Sequence, residues 1–307
     1  MESWSYVSHE NIDREKFNRA LNKSEINSEL YAQLFVWDIL HPNWDLFVYG
    51  DYLKLVPLPY KRKWFYNTFR QPIFIRTIPL IGVFTENDFM QLKGALEANS
   101  KLTHLNFSDN PIAKCPEQGT YQYLELQNSV VDQRALYGTN AKRILKKNAD
   151  VLTFGSISDT MTFLNFFRNH VGHKYDTLSD EVYERLKNLM EESFTLNIGS
   201  LEVIYYLEKP VAMVFYIDFK GTRYYIKGAS NDTAKDLGAM FHLLDKGITE
   251  AVSLEMTGFD FVGSNQKGLA GFNKKFGAVD RFYGVLKENE FFWPINRNLS
   301  FLRIPLP

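Results

Sequence analysis

One order of predicted elements occurs twice along the sequence, and this repetition constrains the fold more than any single motif. Hydrophobic periodicity predicts, in the first half, a strand, two helices, three strands, a helix and two strands at 4–8, 13–23, 31–40, 44–49, 52–59, 69–75, 86–98, 102–107 and 120–126. A helical connector at 131–148 follows, broken at Gly138 with Thr139 as a new N-cap. A strand, two helices, a three-stranded meander and a long helix then return at 151–155, 158–171, 179–195, 201–207, 211–219, 222–227 and 233–252. We therefore expect two packed domains, residues 1–128 and 129–307.

The composition predicts a soluble intracellular protein. Lys and Arg number 35 against 36 Asp and Glu, so no overall field draws the chain to nucleic acid or to a membrane, and any anion site must be local. The single cysteine, Cys115, excludes an internal disulfide and fits a reducing compartment. The N-terminus has no signal-peptide pattern and no apolar run is long enough to cross a bilayer. We expect a cytoplasmic location without membrane insertion.

The stretch 256–284 has the most distinctive local pattern. It predicts a short strand around Asp260, a polar glycine-rich loop at 263–268, a short helix at 269–276 closed by Gly277, and another strand from residue 281. Glycines in such a loop let the backbone turn tightly or approach a ligand. This order gathers backbone N–H groups and lysine ammonium groups around one crevice, which favours an anionic ligand.

Three motifs carry a resemblance to a known family. Residues 259–277 read F-D-F-x-G, a polar loop, and G-L-x-x-F-N-K-K-F-G; residues 224–230 read Y-Y-x-x-G-A-S; and 140–149 form a basic helix at the predicted domain junction. These motifs are similar to those of the FemAB-like acyltransferases of the GNAT (N-acetyltransferase) superfamily. The resemblance implies an α/β fold of two tandem GNAT-like domains, each a mixed, mostly antiparallel sheet flanked by helices. It also implies transfer of an acyl or aminoacyl group from acyl-CoA or aminoacyl-tRNA to an amine.

The sequence departs from this pattern where the donor would be anchored. Ordinary GNAT enzymes hold the coenzyme A pyrophosphate on a glycine-rich loop, whereas residues 227–233 contain one glycine and then Asp232, which we interpret as an N-cap. The tyrosine that protonates the departing thiolate in ordinary GNAT enzymes, often lysine in FemAB relatives, is Asn273 here. These departures leave open an alternative function, a non-catalytic ligand-binding protein on a duplicated scaffold that has lost its donor site.

Several residues are candidates for the chemistry. Asp260, between two phenylalanines, is a general-base candidate, or else a structural carboxylate that accepts loop N–H bonds. Tyr283 and Tyr225 are candidate donors to a developing oxyanion, although most tyrosines are packing residues. Paired lysines can instead form only a solvated face. We expect substrate contacts from Ser264, Asn265, Lys267, Asn273, Lys274, Lys275 and Lys227.

Two further patterns bear on partners. Residues 52–85 contain six basic residues and no acidic one, and the run 61–66 mixes cations with aromatic side chains, which suits phosphates and bases. The run therefore makes tRNA a candidate partner, although it also suits a solvated connection at the domain junction. A small-molecule or peptide amine is the expected acceptor. His170 and His173 at the end of a helix are explained by the helix dipole, so we predict no metal site.

Overall fold

The computed structural model describes residues 3–63, 66–108, 115, 117–172, 178–262 and 267–289. By their contacts these residues form two compact units, one of residues up to 120 together with 282–289, and one of residues 121–281. This division differs from the predicted boundary after residue 128, because the last described strand is assigned mainly to the first unit. The boundary between residues 128 and 129 stays a prediction.

The first unit contains two sets of strands and three helices. Strands β1 (Trp4–Val7), β2 (Asp45–Tyr49) and β3 (Lys54–Leu58) form an antiparallel sheet. Strands β4 (Tyr60–Lys63), β5 (Tyr66–Arg70) and β6 (Leu102–Phe107) are neighbours in that order, and β6 pairs with residues 284–289 of the last strand, β13 (Val279–Asn289). The helices are α1 (Arg14–Asn22), α2 (Leu34–Leu40) and α3 (Glu86–Asn99).

The second unit is built on a six-stranded mixed sheet. Its order is β7 (Glu117–Glu125), β12 (Gly258–Asp260), β11 (Thr222–Ser230), β10 (Lys209–Phe219), β9 (Gly199–Tyr206) and β8 (Leu152–Ser156). Within the described residues of this unit, β11 and β12 are the only parallel neighbours. The helices are α4 (Val130–Ala135), α5 (Thr139–Leu145), α6 (Thr160–His170), α7 (Asp180–Thr195), α8 (Asp232–Leu237), α9 (Ala239–Ser253) and α10 (Lys267–Asn273). Mixed, mostly antiparallel sheets flanked by helices confirm the predicted fold class.

Helix α9 forms the core of the second unit together with one face of this sheet. Buried side chains of α9, such as Leu244 and Ile248, pack against Tyr216 of β10, Phe259 of β12 and Phe276. The Tyr216 ring meets the Phe259 ring edge-on, with ring centroids 5.9 Å apart. This packing fixes the position of β12 relative to β10 and therefore the place where β11 and β12 run side by side.

The structure corrects three sequence predictions of element boundaries. The long helix predicted at 233–252 is two helices, because Gly238 adopts a φ of 71°, and an added Cβ there would overlap Ile144. The N-cap of α5 is Gly138 rather than Thr139, which is the first helical residue. The strand predicted at 69–75 lies earlier in the chain, because β5 covers Tyr66–Arg70. A further strand, β4, precedes it and begins just after Pro59.

In the described part of the chain, none of the helices has the length and apolar character that crossing a membrane requires.

Candidate active site

The two parallel strands of the second unit separate at their carboxyl ends. β11 pairs with β12 only from Thr222 to Tyr224, the last pair joining Tyr224 to Asp260. β12 ends there, whereas β11 continues to Ser230 with β10 as its partner. The carboxyl ends of parallel strands in open α/β sheets are where ligands bind. The separation leaves the edge of β11 from residue 225 onwards without a described strand on the β12 side.

An irregular register turns two residues of β11 to opposite faces of the sheet. Phe215 lies opposite Lys227, and the next residue, Tyr216, lies opposite Tyr225, so that Ile226 is an extra residue on β11. Neighbouring residues on a strand point to opposite faces, and their partners do the same. Bulges of this kind are common next to active sites, where they redirect a side chain.

Tyr225 lies on the α9 face of the sheet. Its ring is in contact with the rings of Tyr216 and Phe261, at centroid distances of 6.0 and 6.4 Å. Its hydroxyl occupies the space over Gly228, three residues along the same strand, where an added Cβ would overlap it. Gly228 therefore gives the hydroxyl room to lie against the end of β11, which accounts for the glycine of the Y-Y-x-x-G-A-S motif.

We expect Gly228→Ala to destabilise the protein through Tyr225. The methyl group would overlap the tyrosine hydroxyl, and such overpacking costs roughly 1–3 kcal/mol. The measurement is chemical denaturation of Gly228→Ala in the wild-type background and in a Tyr225→Ala background. In the second background the space is free, so the cost should fall by about 1–2 kcal/mol, which is the coupling between the two sites. Equal costs in both backgrounds would contradict the packing described here.

Lys227 lies on the opposite face, towards α6. Its Nζ is 5.8 Å from the centroid of the Phe167 ring. Burial lowers the pKa of Lys227 from its usual 10.5 to about 8, because the protein interior disfavours the charged ammonium. The predicted substrate contact of Lys227 stays a prediction; the residue lies three positions along β11 from the last pair of β11 and β12.

Asp260 is the last residue of β12 and is only 2% exposed. Its Oδ1 accepts a hydrogen bond of 2.7 Å from the N–H of Val262. Val262 has a φ of 60°, a conformation that is strained for a β-branched residue. The carboxylate thus holds the start of the loop that follows β12, as expected for a structural carboxylate. Its role as general base stays a prediction.

Asn273 belongs to a buried hydrogen-bonded network. It is 2% exposed, and its Nδ2 donates to Oε1 of Gln122 at 3.2 Å. Gln122 donates in turn to Asp280 at 3.0 Å, and Asp280 forms an ion pair of 2.5 Å with Lys274. This ion pair and the bond from Gln122 keep the pKa of Asp280 below its usual range. Asn273 is thus hydrogen-bonded inside the unit, and its predicted substrate contact stays a prediction.

The remaining candidates around α10 are spread over several environments. Lys275 places its Nζ 5.5 Å from the Phe241 ring of α9. Lys267 is exposed at the first position of α10. Ser264 and Asn265 lie outside the described residues. The predicted closure of the helix at Gly277 is confirmed, since this residue has a φ of 89°.

The segment after β11 differs from the sequence interpretation in one respect. The N-cap of α8 is Asn231, whose side chain accepts a bond of 2.9 Å from the N–H of Ala234. Asp232 is therefore not the N-cap but the first helical residue, and it forms an ion pair of 2.6 Å with Lys235. The N-terminus of α8 is therefore capped by the neutral side chain of Asn231 and not by the charged side chain of Asp232.

Tyr283 lies in the first unit. It is buried on β13, and its ring fills the space over Gly119 of β7. In the same unit, Lys54 of the basic region forms a buried ion pair of 2.6 Å with Asp88.

The described residues contain no cluster of three or more His, Cys, Asp or Glu side chains that fits a metal ion.

Two residues that shape this site escaped the sequence analysis. Phe167 covers Lys227, and Gln122 bridges Asn273 to Asp280. Neither belongs to a motif, and both are far from their partners in sequence. Only the bulge in β11 brings Lys227 to Phe167, and a single sequence carries no signal of that bulge.

The comparisons with known proteins agree with this geometry. A family model described as an acetyltransferase (GNAT) domain matches residues 141–268, which include β11 and β12. A search of curated protein sequences finds no match to the chain. Among solved structures the chain is similar to FemX, with 11% identity, a TM-score of 0.63, and coverage of 97% of this chain and 99% of that chain.

Two further solved structures are similar. L-PGS from Bacillus licheniformis has 15% identity and a TM-score of 0.55, with 95% of this chain and 97% of that chain covered. N-myristoyltransferase from Saccharomyces cerevisiae, with bound myristoyl-CoA and inhibitors, has 11% identity and a TM-score of 0.53, with 93% and 80% covered. The family model supports acyl transfer in general as the class of activity, and the solved structures show the shared fold. The resemblance to the FemAB-like acyltransferases of the GNAT superfamily is confirmed.

Proposed function

We propose that this protein is an N-acyltransferase that joins an acyl or aminoacyl group to an amine. The observation that carries the proposal is the separation of β11 from β12 directly after the pair of Tyr224 and Asp260. It creates a wedge at the carboxyl ends of two parallel strands. Tyr225 and Lys227 follow this point on β11, and their side chains lie on opposite faces of the sheet.

The donor is proposed to lie along the edge of β11 from residue 225 to 230. An exposed strand edge offers N–H and C=O groups in a row, and an extended ligand can bind there as an additional strand. The pantetheine arm of acyl-CoA and the 3′ end of an aminoacyl-tRNA are both extended and polar. Ser264, Asn265 and Lys267 are proposed to contact the donor's phosphates. Lys274 is less suited because its ammonium is paired with Asp280.

Three tasks remain for the chemistry. The carbonyl oxygen of the donor becomes negatively charged as the amine attacks, and the Tyr225 hydroxyl is the proposed hydrogen-bond donor to it. The acceptor amine must lose a proton, and the leaving group must gain one.

Both of the proposed donor classes are available in the cytoplasm, where we place the reaction. The acceptor is a small-molecule or peptide amine.

Two donor classes fit the proposal. Yeast N-myristoyltransferase, which shares the fold, was solved with myristoyl-CoA, and this supports an acyl-CoA. The departures of residues 227–233 from the usual coenzyme A loop, and the basic run at 61–66, favour aminoacyl-tRNA. Both donors present an activated carbonyl to the same wedge, so the chemistry at the amine is shared.

Separate donor assays test this function. The full chain is incubated with acetyl-CoA, myristoyl-CoA or a mixture of aminoacyl-tRNAs, each with glycine amide, a lysine-containing peptide and glucosamine. We expect amine-dependent release of coenzyme A or of uncharged tRNA with one donor class, and an amide product in the mass spectrum. Boiled protein is the control. If no donor yields an amide with any amine, the proposed activity is wrong.

A second candidate function is supported by Asn273. The position where GNAT enzymes place a proton-donating tyrosine is buried here and hydrogen-bonded to Gln122. A ligand-binding protein that has lost catalysis would keep the wedge and lack this donor. In that case coenzyme A or tRNA should raise the unfolding temperature by binding the native state without being consumed. Turnover in the donor assays would exclude this alternative.

A further inference from the structure

We propose that the outer side of α5, in the second unit, binds the sugar-phosphate backbone of a structured RNA. This inference rests on the proposed transferase function, in which an aminoacyl-tRNA is one of the two donor classes, and it assigns the surface that holds the body of that donor. Four cations in the last turn of α5 and directly after it form this surface, which we call the basic surface of α5: Lys142, Arg143, Lys146 and Lys147. All four residues are exposed.

The packing of α5 leaves these four side chains on the outside of the unit. The opposite side of the helix, with Ala141, Ile144 and Leu145, packs against the hydrophobic core of the second unit. Lys142 and Lys146 are four residues apart, as are residues 143 and 147, a spacing that brings the Cβ atoms of a helix to within about 5–6 Å. The four cations therefore form one compact patch.

The charge of this surface is not neutralised within the described part of the chain. Residues 139–149 contain neither Asp nor Glu. The Lys142 ammonium donates to the carbonyl oxygen of Ala135 at 2.8 Å, and Arg143 donates to the side-chain oxygen of Asn140 at 3.1 Å. Both acceptors are uncharged, and among the described residues the basic surface of α5 forms no ion pair.

The helix dipole alone does not explain four cations at this position. Cations near a helix C-terminus are stabilising, but like charges four residues apart on a helix repel each other and destabilise it. Other exposed lysines of this unit are compensated, such as Lys235 by Asp232 at 2.6 Å and Lys274 by Asp280 at 2.5 Å. Residues that break such a rule without a structural gain are typical of functional sites. We therefore infer that the counter-charge comes from a partner.

The arrangement fits a nucleic-acid backbone better than a lipid bilayer. A helix that lies on a membrane buries its apolar side in the lipid, whereas the apolar side of α5 is occupied by the core of the unit. A nucleic-acid duplex presents one phosphate per about 1.7 Å of its axis, so roughly six phosphates lie along the ~10 Å length of α5. Lysine and arginine contacts to phosphates position a nucleic acid without reading its sequence. Such contacts suit a surface that holds the body of a tRNA and not its reacting end.

The test measures binding of a fluorescein-labelled mixture of uncharged tRNAs to the full chain by fluorescence anisotropy. The variant is Lys146→Gln with Lys147→Gln, because neither side chain has a hydrogen bond or ion pair with the described residues and the fold should be retained. The matched control is Lys209→Gln with Lys220→Gln, which removes two exposed cations from the two ends of β10.

We expect the Kd for tRNA to rise roughly 10- to 100-fold at about 0.1 M KCl in the α5 variant, because two phosphate contacts are lost. The slope of log Kd against log salt concentration should fall by about 2. The control should change both quantities little. The unfolding temperature of the α5 variant should equal or exceed that of the wild type, since two repulsive pairs are removed.

Two results would overturn the proposal. One is an unchanged Kd in the α5 variant, or an equal rise in the control, which would mean that only net charge matters. The other comes from sedimentation with vesicles of equal parts phosphatidylcholine and phosphatidylglycerol: if the α5 variant loses vesicle binding and keeps tRNA binding, the surface contacts a membrane.

The binding measurement is separate from catalysis, because uncharged tRNA carries no acyl group. Binding of tRNA through α5 by a chain that forms no amide with any donor would refute the proposed function and leave this surface in place. Amide formation from acetyl-CoA or myristoyl-CoA by a chain that binds no tRNA would do the reverse.

Discussion

Replacing Arg223 with alanine is expected to lower the free energy of unfolding by about 2–3 kcal/mol, because it removes the buried partner of a half-buried carboxylate and of a backbone carbonyl. Arg223 is 4% exposed on β11. Its Nε and Nη2 donate to the two carboxylate oxygens of Asp218, both at 2.7 Å, and its Nη1 donates to the carbonyl oxygen of Gly247 at 2.9 Å. Removing the guanidinium leaves these acceptors without their partner.

The position of Arg223 explains why its loss matters for the site as well as for stability. It ties β10 and β11 to α9, and it lies one residue before Tyr224, where β11 last pairs with β12. Burial lowers the pKa of Arg223, but the bonds to Asp218 outweigh this effect and the pKa is raised overall. The guanidinium therefore stays charged in its buried position.

Urea denaturation followed by circular dichroism measures the effect. The matched control is Arg143→Ala in the same unit, because Arg143 is exposed and donates only to Asn140 within α5. The control should change the free energy of unfolding by roughly 0.5 kcal/mol or less. A loss of similar size in both variants would show that the bonds to Asp218 and Gly247 contribute little.

The elements of the second unit were more predictable than their contacts. The meander of β9, β10 and β11 follows from apolar runs separated by the turns at 208–210 and 220–221, and these signals are local. The glycine of the Y-Y-x-x-G-A-S motif was also visible in the sequence. Its cause, the hydroxyl of Tyr225 over Gly228, depends on the strand irregularity and only appears in three dimensions.

The candidate site was only partly predictable for the same reason. Sequence proximity grouped Asn273, Lys274 and Lys275 at one crevice, but on the structure they meet Gln122, Asp280 and Phe241, respectively. Their partners lie up to about 150 residues away, as with Asn273 and Gln122 at a separation of 151. Charge pattern on a short helix does not determine which of its side chains is already paired.

The stability of the wild type relative to Lys227→Met is expected to rise by on the order of 2–3 kcal/mol between pH 7 and pH 10.5. The folded-state pKa of Lys227 is about 8 and its usual value is 10.5. Below pH 8 the lysine is charged in both states, so folding bears the full cost of burying the charge. Between pH 8 and 10.5 the unfolded chain binds more protons than the folded protein, and stability therefore increases with pH. Above pH 10.5 the lysine is neutral in both states and the cost is gone.

Urea denaturation of both proteins at pH 7, 8, 9 and 10 measures this dependence, and the difference between them cancels the other titrating groups. Lys235→Met, which removes an exposed lysine from α8, controls for the loss of one positive charge. At pH 7 Lys227→Met should be the more stable protein, because methionine fills the apolar space without a charge. A difference that stays constant from pH 7 to 10 would place the Lys227 ammonium in water and would contradict its burial.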